Sequence, residues 1–448
     1  MKRSWRSVWA LAMACGTLLA GSTRAEVAPA DSALDAHMRT LSDSTDAWFG
    51  VTAAPVDTAG LDSALAAGLA RPLGARRAGE RRTRLSWSPA LGFNRVDGGQ
   101  LGLSLGLRSP VPGRLTGRAQ YTTGTEDVIG EGAWTYSWAV RSLHSRLGLR
   151  VAGGRWTEPL ERDRYEAFFS TLGAVMFGRD SYHYLRRDGW RTTLRLGTDR
   201  ASASLGWRDQ LESSLRYTTR WNVFGNTPDP RDNRSVAEGR IRELAPTVTL
   251  PVPGTRFRAQ VAHWISDPKL GSDRFYRRSR GTLAGDVSIG SHWALVPRVS
   301  YGRLRGEALP QESFTFGGTG DMRTIESHIW NSTGRLFVRN DLVLVDDLPT
   351  LLHLRLPAWL PLQGSVYGAA GASWGRDPFT GEAVSSRRDW PKPEEWLFEA
   401  GGGLGWRPGI PDPLMTLRFE YSVPVGPRSR SPAFTISFQR PLELPHEP

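Results

Sequence analysis

The sequence predicts an all-β protein built as one antiparallel transmembrane β-barrel of about sixteen strands. Three observations predict it. Apolar and polar residues alternate with period two over most of the chain, so each segment has one greasy and one wet face. The alternating segments are about ten residues long and rich in aromatics, the length a tilted strand needs to cross hydrocarbon. Short connections alternate with long ones, as expected when turns lie on one side of a membrane and loops on the other.

Composition narrows the choice. The chain has 448 residues, a mean hydropathy of −0.37 and 39% hydrophobic residues. Beyond the N-terminus it has no apolar run long enough for a membrane-spanning helix, which excludes a helical membrane protein. Heavy use of Gly (49), Pro (30) and Trp (18) argues against an all-helical fold. A single cysteine excludes a disulfide framework and a cysteine-based zinc site, and no cofactor or metal is expected. The formal charge of +12 is almost entirely arginine, with lysine only at Lys2, Lys269 and Lys392. That bias is read as the mark of a GC-rich genome, and no nucleic-acid partner is expected.

In chain order, residues 1–25 read as a signal peptide. Lys2, Arg3 and Arg6 form its positive start, Val8–Leu19 its apolar core, and Ser22-Thr23-Arg24-Ala25 a small-residue cleavage site. A lipobox ending at Cys15 would cut that core in half and is not preferred. Residues 26–82 read as a short periplasmic segment with helical patterns near Ala33–Leu41 and Leu61–Leu69. The cluster of Arg76, Arg77, Arg81, Arg82 and Arg84 at its end is read as a solvated linker rather than a head-group contact.

Residues 83–440 carry the barrel pattern, and 441–448 form a tail. Leu101, Leu103, Leu105 and Leu107 alternate with Gly102, Ser104, Gly106 and Arg108. Ala201, Ala203, Leu205 and Trp207 do so with Ser202, Ser204, Gly206 and Arg208, and Phe434, Ile436 and Phe438 with Thr435, Ser437 and Gln439. The polar face is often Arg or Glu, which suits a wet lumen better than the interface of a soluble sandwich. Strands are expected to begin near Thr83, Gln100, Arg114, Gly132, Arg146, Arg191, Ala201, Arg240, Thr255, Phe275, His292, Gly334, Gly364, Trp396, Leu414 and Ala433. Asp97-Gly98 marks the first tight turn. Short connections fall at 109–113, 142–145, 197–200, 251–254 and 408–413, and long ones near 155–189, 213–238, 306–331 and 376–395. The apolar, Pro-containing stretch Val345–Leu362 is an unusually long connection for the short-turn side. Closure needs an even strand number, because lipid cannot satisfy a free edge.

No catalytic constellation emerges, and the chain is not expected to be an enzyme. Gly102–Gly106 and Gly371–Gly375 match the spelling of a nucleophile elbow, yet both sit in alternating strands without the following helix that motif needs. The histidines lack metal-ligand spacing. His263 and Ser266 are the one tempting pair for a barrel esterase. Tyr165, Phe168, Phe169, Leu172, Val175 and Met176 fall on one face at helical spacing, read as a short helix lying over the barrel mouth as a lid.

The most informative stretch is Phe314–Ile325, in the long loop before strand twelve: Phe-Thr-Phe-Gly-Gly-Thr-Gly-Asp-Met-Arg-Thr-Ile. It resembles the bacterial surface antigen family, the barrels of outer-membrane assembly factors (BamA/TamA type) and of two-partner-secretion transporters. That family carries a Gly-Gly, a spacer and an apolar-Arg-Gly-aromatic motif in a loop folded back into the lumen. The resemblance implies that Gly317 and Gly318 supply the turn, Met322 the apolar position and Arg323 a buried cation paired with lumen carboxylates. Thr324 and Ile325 replace the family's Gly and aromatic. The family's strand-thirteen motif falls at Tyr367–Gly371, with Ala369 where an Asp is expected. Glu399 and Glu420, on the expected lumen faces of strands fourteen and fifteen, are then the substitute partners. Asn94–Gly98, Gly401–Trp406 and the closing strand Phe434–Phe438 also look family-like. Residues 26–82 are shorter than one periplasmic substrate-docking (POTRA) domain and lack strand patterning, so the resemblance implies a barrel-only member.

The function so implied is insertion or translocation of polypeptide, or lipid, at the bacterial outer membrane, through a loosely paired seam between the first strand and Phe434–Phe438. The expected partners are outer-membrane lipids, client polypeptides or a periplasmic accessory protein. The alternative is a passive, anion-preferring pore or receptor of the same fold with an Arg-lined lumen.

Overall fold

The computed structural model describes residues 84–439 apart from 109–112, 141–144, 161–170, 172, 177, 179, 181, 199–200, 226–231, 319–320, 326–329, 345–347, 354–361, 386–389, 407–415 and 427–429. The expected signal peptide (1–25), the segment 26–82 and the tail 441–448 lie outside the described residues, as do Tyr165, Phe168, Phe169 and Leu172 of the expected lid.

In chain order the strands are β1 (Arg84–Asn94), β2 (Gly98–Arg108), β3 (Arg114–Thr122), β4 (Asp127–Val140), β5 (Ser145–Pro159), β6 (Tyr184–Gly197), β7 (Ser202–Ser214), β8 (Gly239–Pro251), β9 (Arg258–Ser266), β10 (Tyr276–Ala284), β11 (Val287–Ile289) and β12 (Trp293–Gly306). They continue with β13 (Phe314–Phe316), β14 (Trp330–Ser332), β15 (Gly334–Leu344), β16 (Leu362–Trp374), β17 (Leu397–Trp406), β18 (Thr416–Val425) and β19 (Ala433–Gln439). Seventeen strands form one antiparallel sheet, and β13 and β14 form a separate two-stranded ribbon. With the three-residue β11 set aside, the long strands pair each with the next along the chain, β10 with β12 and β12 with β15. Among the described residues, no pairing joins β1 to β19.

The sheet curls. Arg339 on β15 reaches Glu420 on β18 at 2.9 Å, although three strand spacings on a flat sheet would separate them by about 14 Å. Arg208 on β7 likewise donates to the Tyr276 hydroxyl on β10, three strands away, at 2.7 Å. Side chains that span several strands must converge on a concave face, and the charged groups lie on that face. Arg187, Glu212, Glu243, Arg323, Arg339, Glu399 and Glu420 are all buried, whereas Leu101, Leu103, Leu105, Leu205, Val261, Val366 and Phe434 are exposed on the outer face. A soluble sheet buries its apolar face, and this one buries its charges. The outer surface is that of a sheet facing hydrocarbon around a polar lumen. On β4 the outward Trp134, Tyr136 and Trp138 stack in sequence, with ring centroids 6.0 and 5.2 Å apart, at the short-turn end where an interfacial aromatic girdle belongs.

Three strand starts differ from the expectation. β4 begins at Asp127 rather than Gly132, β6 at Tyr184 rather than Arg191, and β9 at Arg258 rather than Thr255. The first two ladders run past the apolar band, where both faces meet polar surroundings and alternation stops although pairing continues. At β9, residues 252–257 close a turn instead, with the Val252 N–H donating to Phe257 O at 2.9 Å. At the long-loop end the β1–β2 turn is held by neighbouring loops. Arg95 Nη1 donates to Gly178 O (3.0 Å), and the Thr218 N–H donates to Arg95 O (2.9 Å). On the short-turn side, a one-turn helix (α1, Leu348–Leu351) occupies part of the long connection after β15.

Candidate functional site

The connection from β12 to β15 (residues 307–333) turns back into the lumen and is fastened at two places. The first is a 3₁₀ turn, Pro310–Glu312. The Gln311 amide pairs with the backbone of Ala237, donating to its carbonyl (2.8 Å) and accepting its N–H (3.1 Å) as a strand neighbour would. Glu312 is buried against Arg208 of β7, and lies 3.7 Å from Arg278 of β10. Arg208 also meets Glu243 of β8 at 2.8 Å, and Tyr276 donates to the same carboxylate.

From there β13 crosses the wall. Phe314 enters an apolar cluster with Ile241, Ala262, Trp264, Tyr276, Leu304 and Leu309. Phe316 enters a second with Met322, Ile325, Phe337, Tyr367, Ala369 and Leu397. The wall is notched to take both rings: a Cβ at Gly302 would collide with Phe314, and one at Gly371 with Phe316.

The second fastening is the motif itself. Gly317 and Gly318 take φ of 120° and 84°, in the range that disfavours residues with a Cβ. The chain can therefore fold back so that the Gly318 N–H meets the carbonyls of both Met322 (3.1 Å) and Ile325 (3.0 Å). This small loop drives Met322 into the apolar cluster and sends Arg323 to Glu420, with Nη2 2.5 Å from Oε2. Glu399 takes the backbone instead. It accepts from the Arg323 and Thr324 N–H groups (3.0 Å each) and from the Thr324 hydroxyl (2.9 Å). Tyr367 lies beneath, 5.2 Å from Arg323 Cζ and 3.6 Å from Arg339 Cζ, with its hydroxyl donating to Glu399 at 3.2 Å. Arg339 grips Asp341 through two bonds (2.7 and 2.6 Å) and shares Glu420 with Arg323.

Register explains Ala369. Ala369 lies directly between Arg339 and Glu399 on neighbouring strands. The carboxylate expected at Ala369 is thus replaced one strand away, at the same height. Gly401 and Gly403 make the room. A Cβ at Gly401 would fall 2.5 Å from the Tyr367 ring, and one at Gly403 2.7 Å from Glu420 Cγ. Arg430, just before β19, donates to the Thr324 hydroxyl (2.7 Å) and to Phe398 O (2.6 Å), tying the loop to the β18–β19 hairpin.

The structure thus brings Gly317, Gly318, Met322, Arg323, Tyr367, Gly371, Glu399 and Glu420 into one cluster. Phe434 and Ile436 face outward on β19, away from it, and the side chain of Phe438 lies outside the described ones. Sequence reasoning missed Arg339 and Asp341, whose signal was available: two charges two apart on a lumen face. It also missed the Glu312 fastening, whose partners on β7, β8 and β10 are unmarked in the chain. His263 and Ser266 do not form a pair. His263 Nδ1 contacts the Ser279 hydroxyl at 2.8 Å on one face, while the Ser266 hydroxyl donates to Ser272 (2.8 Å) on the other.

The arrangement is a strap across the lumen. It links the β7–β10 wall to the β15–β18 wall and ends beside the last hairpin.

No protein-family model matches this chain, and no curated protein is similar to it. Solved structures of similar fold include BamA from Haemophilus ducreyi lacking POTRA domains 1–3, at TM-score 0.49 and 14% identity, with 80% of this chain and 70% of that one covered. CdiB from Acinetobacter baumannii (TM-score 0.40, 10% identity) and CdiB from Escherichia coli (0.42, 12%) are matched over 81% of this chain. The chain spans 60% and 63% of those two CdiB chains, respectively.

Proposed function

We propose that this chain is an outer-membrane barrel that inserts or translocates polypeptide, or lipid, at that membrane, using the β1–β19 boundary as its working edge. One observation carries the reading. Among the described residues, every long strand pairs with its neighbours along the sheet except at this boundary, while the lumen beside it is strapped by a fastened loop. An unpaired strand edge is a template for an incoming strand. A fastened strap stiffens β15–β18, so that strain falls on the free edge. The reading makes a client strand and membrane lipid the partners of that edge.

A second reading is a passive anion-preferring pore. Its support is the lumen wall near the short turns, where Arg114, Arg118, Arg150, Arg191 and Arg195 line the inner face with Glu131.

Cysteine pairs across the boundary separate the two. Ser86 and Ser88 on β1 and Thr435 and Ser437 on β19 are small polar positions suited to such a panel. The assembly reading expects crosslinked protein to lose client insertion into vesicles while its conductance in planar bilayers stays unchanged. Full insertion by crosslinked barrels, together with a large, steady, anion-selective current, would favour the pore.

A further inference from the structure

We infer that the outward face of β10 and β12, at the long-loop end, binds a phosphorylated lipid headgroup; this rests on reading the barrel as membrane-embedded. On β12 the outward series is Trp293, Leu295, Pro297, Val299 and Tyr301, followed by Arg303 and Arg305. From Trp293 to Tyr301 the tilted strand climbs about 20 Å, close to the height of the apolar band. The arginines therefore emerge where headgroups begin. Tyr301, Trp374 and Trp390 cluster beside Arg303, with ring centroids 6.1 and 5.4 Å apart; Trp374 is buried, while Trp390 is exposed at the level where amphipathic rings collect.

Arg305 stands directly opposite Arg277 of β10, and both are exposed. Like charges directly opposite on a ladder are destabilising. The outward arginines of β5 and β8 near this end are matched with carboxylates. Arg155 meets Asp188 (2.6 Å) and Asp127 (3.1 Å), and Arg240 and Arg242 meet Asp209 (2.6 and 3.0 Å). Arg277 and Arg305 form no ion pair with a described residue. The nearby Glu307 is engaged by Arg274 (3.5 Å) and by the Phe275 N–H (3.0 Å). One row lower, Arg303 faces Ser279, whose hydroxyl contacts His263.

A phosphate between Arg277 and Arg305 would relieve their repulsion and accept forked charge-assisted hydrogen bonds. A lipid phosphate is the better fit than a free one, because below the Arg303 row the outward series Tyr301, Val299, Pro297 and Leu295 of β12 offers apolar surface for its acyl chains.

The test uses the full chain, refolded into phosphatidylcholine vesicles with or without lipid A, and reads co-purified lipid by native mass spectrometry. The wild type is expected to retain lipid A over its dephosphorylated form. The R277Q/R305Q variant is expected to lose roughly thirtyfold in retention, the scale set by two surface arginines at an anionic headgroup layer. R240Q, whose charge is already matched, should retain lipid as the wild type does. Equal retention by R277Q/R305Q, or no preference for the phosphorylated form, would overturn the site. Displacement of the lipid by inorganic phosphate alone would also overturn it. A chain that floats with neither kind of vesicle would remove the membrane reading beneath it, whereas normal flotation with unselective retention removes only the lipid site.

Discussion

Glu420 holds Arg323 and Arg339 closely, with Arg418 farther off at 3.8 Å, and the two close guanidinium groups do not depend on it equally. Arg339 keeps Asp341 if Glu420 is neutralised, whereas Arg323 keeps only the Tyr367 ring. Removing one partner of a buried pair costs about 3–5 kcal/mol, because it leaves an uncompensated charge. Glu420→Gln is therefore expected to lower stability by about that much, read as the urea midpoint of tryptophan fluorescence in detergent micelles. Arg323→Met should cost less, since Glu420 still holds Arg339. The double variant should be more stable than Glu420→Gln alone, because no charge is then orphaned. A Glu420→Gln protein within about 1 kcal/mol of wild type, the range of an exposed pair, would mean that water reaches this cluster. Gly401 makes an independent case. A Cβ there meets the Tyr367 ring at 2.5 Å and Tyr421 O at 2.6 Å, so Gly401→Ala should cost about 1–3 kcal/mol by overpacking alone.

The strap is the element most open to perturbation. β13 is a three-residue strand paired only with β14, and its two rings sit in notches that exist because Gly302 and Gly371 have no side chain. Gly302→Ala with Gly371→Ala should push β13 off the wall while the ladders β10–β12 and β15–β16 stay paired. Single-channel conductance in planar bilayers should then rise, and the urea midpoint should fall, since overpacking costs about 1–3 kcal/mol at each site. Unchanged conductance would show that the strap does not limit the lumen. The same contrast between wall and strap decides what was legible in the chain. Strand faces were legible because hydrocarbon on one side and water on the other enforce alternation residue by residue. Strand ends were not legible at β4 and β6, because beyond the hydrocarbon both faces are wet. Glu399 and Glu420 could be picked out by parity on strands marked by alternation. Arg339 could not be assigned to Glu420, because register between strands is not written in either strand alone. Glu312 left no trace, since its position depends on a loop path that no periodicity encodes.

At the scale of the whole molecule, the decisive feature is the inverted partition. An outward arginine at mid-membrane costs about 2–4 kcal/mol, falling to about 0–1 near the interface. The outward ion clusters at Arg155 and at Asp209 lie toward the long-loop ends of their strands, where the lower figure applies. The middle of the outer surface is left to Leu, Val and aromatic side chains, whose transfer to hydrocarbon is favourable. Tryptophan reports this directly, because Trp87 is 70% exposed and Trp190 and Trp293 are also exposed, while Trp156 and Trp264 are buried on the inner face. Single-tryptophan variants refolded into vesicles of brominated lipid should show strong quenching at Trp87, Trp190 and Trp293. Trp156 and Trp264 should be spared, because bromine on an acyl chain quenches only on near contact. Depth adds a second reading. Trp293, at the short-turn end of β12, should respond best to bromine near the headgroup, and Trp190, further along β6, to bromine deeper in the chain. Quenching of Trp264 with sparing of Trp87 would mean that the concave face meets lipid, and the outer-membrane placement and the working edge would fall with that result.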